Sequence, residues 1–573
     1  MLKFMPKKLT VLSATLIVAS FTPWDFHWFI WIALVPWLAT ISRLKTWVGA
    51  LKESLWLGFL MGLGGYYWIA WVLKEFAVIP WSLSILGMIL FSLICQPQFL
   101  VFALVFHAYN RSCSKNGGAM FLMAAIITLS LFYTGVDWMV PKLFKDTLGH
   151  SLYLYQNLRQ LADIGGAHLL TFLVFMVNLS VWHFLSNFKN FGGLHFLYKT
   201  LPETGHQACR HINSLNSAPL ILSACLLGGG LAYGIARNDE VKNAIQSSQR
   251  KLQAAVIQGN IGDFDKIAAI RGIRGAAQKV VDTYLDLSSK AIAMDPKPDF
   301  LVWPETSYPS TFRTPHSLED AMRDKTLERL AEDNGITLLF GGYDRANRLD
   351  YNSLFFLTPG SIYGGVGKSH LVSSGPGPNL EIYHKHILLL FGEYIPGADW
   401  FPWVKSQFPQ VGYFGRGPGP EVFTVNTPNP KVPNVRIAPI ICYEALFPDY
   451  VIKAARKGNE LILNITNDSW FGPYGEPYLH LSLIVFRSIE TRLPQLRATN
   501  TGISALIMPD GKITKRTSIG QPDVMSATIP LTEPIPTLMK KWGDWFGLAA
   551  FVISGMLLVV GVIFCKSEYP VDA

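Results

Sequence analysis

The chain has 573 residues, 50% hydrophobic and only 16% charged, with a mean hydropathy of +0.27. A soluble protein carries about 25% charged residues, so this composition excludes a disordered chain and a purely soluble enzyme. The formal charge of +9 lies largely beside apolar runs. That placement suits anionic lipid headgroups better than nucleic acid, which calls for a basic stripe on a soluble domain.

In chain order, apolar segments at 9–21, 27–41, 55–72, 82–109, 118–133, 168–184 and 218–235 are expected to span a membrane, with an eighth at 545–565. Lys3, Lys7 and Lys8 precede the first as they would in a signal peptide. No small-residue cleavage site stands before Pro23, and a second span follows at once, so the first is expected to remain. Lysine and arginine in the connecting segments set the orientation. Arg43, Lys45, Lys52, Arg111, Lys115, Lys189, Lys199, Arg210 and Lys566 fall on one side; on the other, the loop at 22–26 has none, the next has only Lys74 at its edge, and the loop at 135–166 carries Lys142, Lys145 and Arg159 but is long enough for the bias to weaken. Both termini are therefore expected in the cytoplasm of a bacterium, with the spans in its inner membrane. The expected division is a helical membrane domain at 1–237, a periplasmic domain at 238–543, and a final span with a short tail at 544–573.

The segment 238–543 reads differently. Strands are expected at 254–258, 300–303, 337–340, 353–357, 436–441, 460–465 and 504–508, and helices at 276–293, 318–332 and 478–496. Such alternation predicts an α/β domain with a buried, parallel or mixed sheet and its chemistry at strand ends. The stretch 390–420 is rich in glycine, proline and aromatic residues and is expected to be a long loop.

Cys95, Cys225 and Cys565 lie in or beside spans, and Cys113 and Cys209 lie in inner loops, which leaves Cys442 alone in the outer domain. A lone thiol there has no disulfide partner within the domain. One reading is a small buried hydrophobe. The other is a nucleophile, favoured by its place at the end of the apolar strand 437–441, before Tyr443 and Glu444, where a turn exposes a side chain. A nucleophilic thiol needs a base and an oxyanion partner. Glu305 after an apolar strand, Lys385 in a loop and Glu393 are candidates, although such groups are more often solvated surface charges. No Gly-x-Ser-x-Gly elbow or zinc-spaced cluster offers a competing chemistry.

These residues resemble the nitrilase superfamily, whose members carry a Glu-Lys-Cys triad on an αββα sandwich. Five segments in order resemble the apolipoprotein N-acyltransferase family more closely. They are Val302-Trp303-Pro304-Glu305-Thr306, Phe391-Gly392-Glu393-Tyr394-Ile395-Pro396, Ile441-Cys442-Tyr443-Glu444, the run from Asn464 to Gly472, and Arg497-Ala498-Thr499-Asn500-Thr501-Gly502. That family has seven spans before its nitrilase-like domain and one after, so the resemblance covers nearly the whole chain. It implies Cys442 as nucleophile, Glu305 as general base and Lys385 as oxyanion stabiliser. Lys385 is preferred to Lys368 because it stands eight positions before Glu393, as in the family. Glu393 would be a second carboxylate, Tyr443 and Glu444 would shape the pocket behind Cys442, and Asn352 and Pro396 match supporting positions. The chain departs from the family with Leu390 where a proline is usual and with Phe264 near the place of a tryptophan.

The implied reaction takes an acyl chain from a phospholipid onto Cys442 as a thioester, then passes it to the amine of a diacylglyceryl cysteine on an apolipoprotein. It calls for no cofactor, no metal and no nucleic acid. A membrane-tethered amidase acting on a small amide would share the triad but would need a single span. A transporter would show intramembrane charges or broken helices. The aromatic loop is either ordinary core or a mobile lid dipping into the outer leaflet, and its glycines and interface-favouring rings, Trp400 and Trp403 among them, favour the lid.

Overall fold

The computed structural model describes residues 5–75, 79–112, 118–187, 217–262, 275–346, 348–360, 380–401, 403–407 and 411–567. Phe264, Lys368 and Phe408 lie outside them. The N-terminal part is helical: α1 (Lys8–Ser20), α2 (Val35–Ile41), α3 (Trp47–Gly65), α4 (Ile69–Glu75), α5 (Trp81–Ile94), α6 (Gln98–Ser112), α7 (Ala119–Met139), α8 (Ala162–Asn187) and α9 (Ala218–Ser247). Among the described residues, four helices are long and apolar enough to cross a membrane, or five if the pair α3 and α4, bent by 56°, is one span. The apolar helices Lys8–Ser20, His27–Ile41 and Trp545–Val560 are shorter. Eight is thus the number of apolar segments, and helix length alone supports four or five spans.

Three of the expected spans are not single α-helices, and one of them, 82–109, divides at Cys95-Gln96-Pro97 into α5 and α6. The segment 27–41 begins as a 3-10 turn, His27–Trp31, before α2 starts just ahead of Pro36. The segment 55–72 breaks between α3 and α4, where the buried Trp68 ring packs on Phe144 at 5.1 Å and on Phe471 at 5.5 Å. Helix α9 continues well past its apolar stretch and ends three residues before the first strand.

Beyond α9 come β1 (Lys251–Gln258), α10 (Ala276–Ile292), β2 (Phe300–Val302), α11 (Leu318–Asn334), β3 (Thr337–Ala346), β4 (Leu349–Leu357), β5 (Leu380–His384) and α12 (Trp403–Gln407). They are followed by β6 (Phe423–Asn426), β7 (Asn434–Ile441), α13 (Pro448–Ala455), β8 (Leu461–Thr466), α14 (Glu476–Thr491) and β9 (Gln495–Thr499). The chain closes with β10 (Ala505–Ile507), β11 (Ile513–Arg516), β12 (Asp523–Pro530), α15 (Leu538–Trp542) and α16 (Trp545–Ser567). The expected helix at 478–496 is corrected. It ends at Thr491, Arg492 turns into the left-handed region at φ 54°, and a strand follows Pro494.

The strands form two six-stranded mixed sheets, ordered β12-β1-β2-β3-β4-β5 and β11-β10-β9-β8-β7-β6. Val256, Val302, Leu339 and Phe356 from one sheet and Ile437, Leu463, Ile465 and Leu496 from the other share a single core. The outer face of the first sheet is covered by α10 and α11 through Val281, Tyr284 and Leu327. This is an αββα sandwich. The second helical layer, α13 and α14, is buried between the second sheet and the membrane domain. Ile484, Val485 and Ile489 of α14 belong to the same core as Leu170, Val174 and Phe102 of the membrane helices. Helix α14 is buried nearly all round, and its charged residues pair inside, Arg487 with Glu490 at 2.8 Å and His480 with Glu476 at 3.4 Å.

Buried charge also joins the two parts. Asp163, at the start of α8, accepts from Arg492 Nη2 and Arg237 Nε, each at 2.7 Å, and from the Tyr233 hydroxyl at 2.8 Å. Arg492 also donates Nη1 to Gln160 Oε1 at 2.6 Å. Breaking a buried pair costs about 3–5 kcal/mol because the remaining charge stays desolvated. Asp163→Ala is therefore expected to lower the thermal midpoint of the detergent-solubilised protein strongly. Glu240→Ala, which removes only the exposed second partner of Arg237, should change stability by less than about 1 kcal/mol.

Candidate active site

Three strand ends converge on one buried point. Strand β7 ends at Ile441, and Cys442 follows at φ 51° in a 3-10 turn running to Leu446. A left-handed non-glycine residue is strained, and strain of this kind persists only where its surroundings impose it. Glu444 imposes it here. Its fully buried carboxylate accepts from the Ile441 amide at 2.8 Å, the His386 amide at 2.7 Å and the Tyr383 hydroxyl at 2.7 Å. Glu444 thus ties the turn that carries Cys442 to the segment that follows Lys385, with its carboxylate on those backbone amides. Tyr443 turns the other way and donates its hydroxyl to the carbonyl of Leu143, in the membrane-domain segment between α7 and α8, at 2.5 Å.

Glu305 stands three residues past β2. The ladder runs on through the Trp303 amide, which donates to Leu339 at 2.8 Å, and the Gly341 amide, which donates to Pro304 at 3.2 Å. The backbones approach so closely that a Cβ on Gly341 would sit 2.6 Å from the Glu305 Cα. Lys385 follows β5 and extends its pairing with β4 by one bond, its amide donating to the Asn352 carbonyl at 2.9 Å. That register sets Lys385 beside Asn352. Glu393, in the loop beyond, is fixed by the Leu389 amide, 2.7 Å from its Oε2.

Lys385 is 1% exposed. Its Nζ lies 3.1 Å from Glu305 Oε1 and 3.0 Å from Glu393 Oε1. The Asn352 amide Nδ2 donates to the same two oxygens, each at 2.7 Å. Burial pulls the Lys385 ammonium down, but the Glu305 and Glu393 carboxylates outweigh it and hold the group well above its ordinary value. Burial pushes the Cys442 thiol up, the Glu305 charge pushes it further, and Lys385 and the Thr466 hydroxyl work against both. At rest the thiol is protonated beside a carboxylate.

The structure therefore gathers Cys442, Glu305, Lys385, Glu393 and Asn352 into one site. Pro396 is exposed on the loop that follows Glu393. Trp400 and Trp403 are also exposed, at 83% and 66%. The sequence reading left Thr466 and Asp468 without a role, although both lie in or beside a quoted segment. Asp468 accepts from Arg497 Nη2 at 2.8 Å and from Thr466 Oγ1 at 3.1 Å. Asp468, Glu476 and His480 bring three ligand-type atoms within 4.8 Å of one another. Arg497 already supplies positive charge to that cluster and holds the Asp468 carboxyl down at about 2 against burial.

Residues 253–536 match the family model described as carbon-nitrogen hydrolase, and residues 13–180 match that described as apolipoprotein N-acyltransferase N-terminal domain. The apolipoprotein N-acyltransferase of Bdellovibrio bacteriovorus is 29% identical over 95% of each chain. That of Geobacter metallireducens is 28% identical over 98% of this chain and 95% of its own. Among solved structures, an amidase from Nesterenkonia sp. AN1 is 17% identical with a TM-score of 0.35, covering 49% of this chain and 90% of its own.

The electrostatics set how the thiol titrates. Alkylation requires thiolate, so with a raised pKa the rate for Cys442 should stay low at neutral pH and climb only above the ordinary thiol range. Glu305→Gln removes a charge that disfavours thiolate and leaves Lys385 in place. Its alkylation profile should shift to lower pH, read as the mass increment from iodoacetamide across a pH series. An unshifted profile would mean the thiol does not feel that carboxylate.

Proposed function

The chain belongs to the apolipoprotein N-acyltransferase family, and on that premise we propose that it moves an acyl chain from a phospholipid to the N-terminal amine of a diacylglyceryl apolipoprotein. Glu305 takes the proton of Cys442 as the sulfur attacks the ester carbonyl of the phospholipid. The tetrahedral oxyanion collapses, the lysophospholipid alkoxide leaves with the proton held by Glu305, and a thioester remains on Cys442. The acceptor amine then attacks the thioester, gives its proton to Glu305, and expels the thiolate, which is reprotonated as the amide is released. Splitting the transfer in two replaces one difficult step with two easier ones.

Lys385 is the oxyanion partner. An ammonium has three donors, and its bonds to Glu305 and Glu393 leave one for the developing charge. A preorganised donor of this kind is worth about 3 kcal/mol of barrier. Asn352 and Glu393 keep that ammonium in place and charged. Glu444 and Tyr443 hold the turn under the nucleophile.

The observation that carries acyl transfer over hydrolysis of a small soluble amide is the shared core of α14 and the membrane helices. A soluble substrate requires no such seat, whereas two lipid substrates must reach the thiol from the bilayer. The distribution of lysine and arginine in the connecting segments supports a periplasmic catalytic domain in a bacterial inner membrane. The loop after Glu393 is the lid. Phe414 anchors it by stacking on Tyr343 with centroids 5.7 Å apart, while Trp400, Phe401 and Trp403 are exposed. Exposed aromatic rings beside a lipid-consuming site suit the headgroup region.

Incubation with phospholipid should leave a hydroxylamine-labile acyl mass on Cys442. Cys442→Ala should abolish both adduct and turnover at near-parent stability, and Lys385→Ala should fail to form the adduct. Amidase turnover with no adduct would sink the proposal. Replacing Trp400 and Trp403 with serine should slow transfer from bilayer lipid far more than from a short-chain soluble ester; equal losses would return those rings to a structural role.

A further inference from the structure

The site at Cys442 leaves one strongly basic feature of the molecule unused. A cleft of about 450 Å³ separates the edge strand β11 from the segment 153–159, which leads from the membrane domain's outer loop into α8. Arg159, Lys512, Lys515 and Arg516 line it, together with Tyr153 and Thr514. Two carboxylates lie nearby, Asp510, which accepts from the Lys512 amide at 2.9 Å and is a counter-charge to Arg159, and Asp25, which accepts from the Tyr153 hydroxyl at 3.0 Å; the four cations outnumber them.

Lysines on an edge strand also discourage edge pairing, and that alone would account for β11. It does not account for Arg159, which comes from the other domain and is 6% exposed. Its Nη1 donates to the Tyr153 carbonyl at 2.5 Å, and its Nε has no partner among the described residues. A buried cation with an open donor, in a cleft where cations outnumber carboxylates, suits a further anion.

The surroundings indicate which anion. Trp24, Phe26 and Trp28 are exposed at 57%, 54% and 64%. Tyr153 reaches Asp25 between them, and Tyr155 packs edge-on against Trp28 at 4.8 Å. Exposed tryptophans beside a basic cleft place an aromatic belt next to a headgroup-level charge. We propose that this cleft binds the phosphodiester of an anionic phospholipid, its acyl chains lying along Trp24, Phe26 and Trp28, as a lipid site separate from the one at Cys442. Arg159 makes charge-assisted bonds to the phosphate, and Lys512, Lys515 and Arg516 supply the surrounding field.

Native mass spectrometry of the full-length protein with equal phosphatidylglycerol and phosphatidylcholine tests it. The parent should retain phosphatidylglycerol with about a ten-fold preference that falls as salt is raised from about 0.05 to about 0.5 M. The double variant K512E/K515E should lose that preference and still form the Cys442 adduct from a short-chain uncharged ester. No preference in the parent, or one that survives high salt or the double variant, overturns the proposal. Complete displacement by inorganic phosphate would make the ligand a soluble anion and overturn the lipid assignment. Loss of the Cys442 adduct in a variant that keeps the parent's thermal midpoint would make the cleft part of the reaction path and overturn a separate site. If the double variant does not fold, the salt dependence of the parent decides.

Discussion

A lysine ammonium taken out of water organises the catalytic half of this protein. Lys385 is almost wholly buried, and a desolvated cation of that kind is tolerated only with counter-charge at hydrogen-bond distance. Glu305 and Glu393 supply it, and Asn352 bridges the same two oxygens. Burial first, and the Glu305 charge after it, hold the neighbouring thiol above its ordinary range. In the proposed reaction Glu305 is the proton acceptor beside the sulfur, and Lys385 keeps a donor for the carbonyl that the sulfur attacks.

None of these groups is adjacent in sequence, and the sandwich is what unites them. Glu305 and Lys385 come from the ends of strands in one sheet, and Cys442 from the end of a strand in the other. Their positions depend on backbone fit: a close approach at Gly341, a left-handed residue at Cys442, and Glu444 stitching the two segments through amides. A site held by backbone register is preorganised, so little reorganisation accompanies the development of charge.

The membrane domain completes this structure. Helix α14 finishes the sandwich on one side and the helical bundle on the other. Arg492 sits where its end meets Asp163 and Gln160, and Tyr443, next to Cys442, bonds to the segment between α7 and α8. The turn that carries Cys442 is thus braced directly by the helical domain, so the second domain is seated on the helices rather than tethered to them.

Much of this was legible in the chain itself. Apolar runs announce the membrane helices because each must satisfy its own backbone in lipid. The lone thiol at the end of an apolar strand, the carboxylate behind Pro304 and the spacing from Lys385 to Glu393 are local patterns, and local patterns survive in sequence. The span count was not legible. Residues 66–68 contain no proline, and the break there follows from Trp68 packing on Phe144 and Phe471, which are distant in sequence. The end of α14 was missed because polar and charged residues there, Arg487, Glu490, Arg492 and Gln495 among them, are buried, so no polar solvent face marks where the helix gives way to the strand. Asp468 and Thr466 gained a place beside the thiol only when β8 aligned with β7. Composition and motif determined what chemistry this chain carries and that it lives in a membrane; long-range packing decided which charges meet, because a buried ion pair depends on where strands end in space.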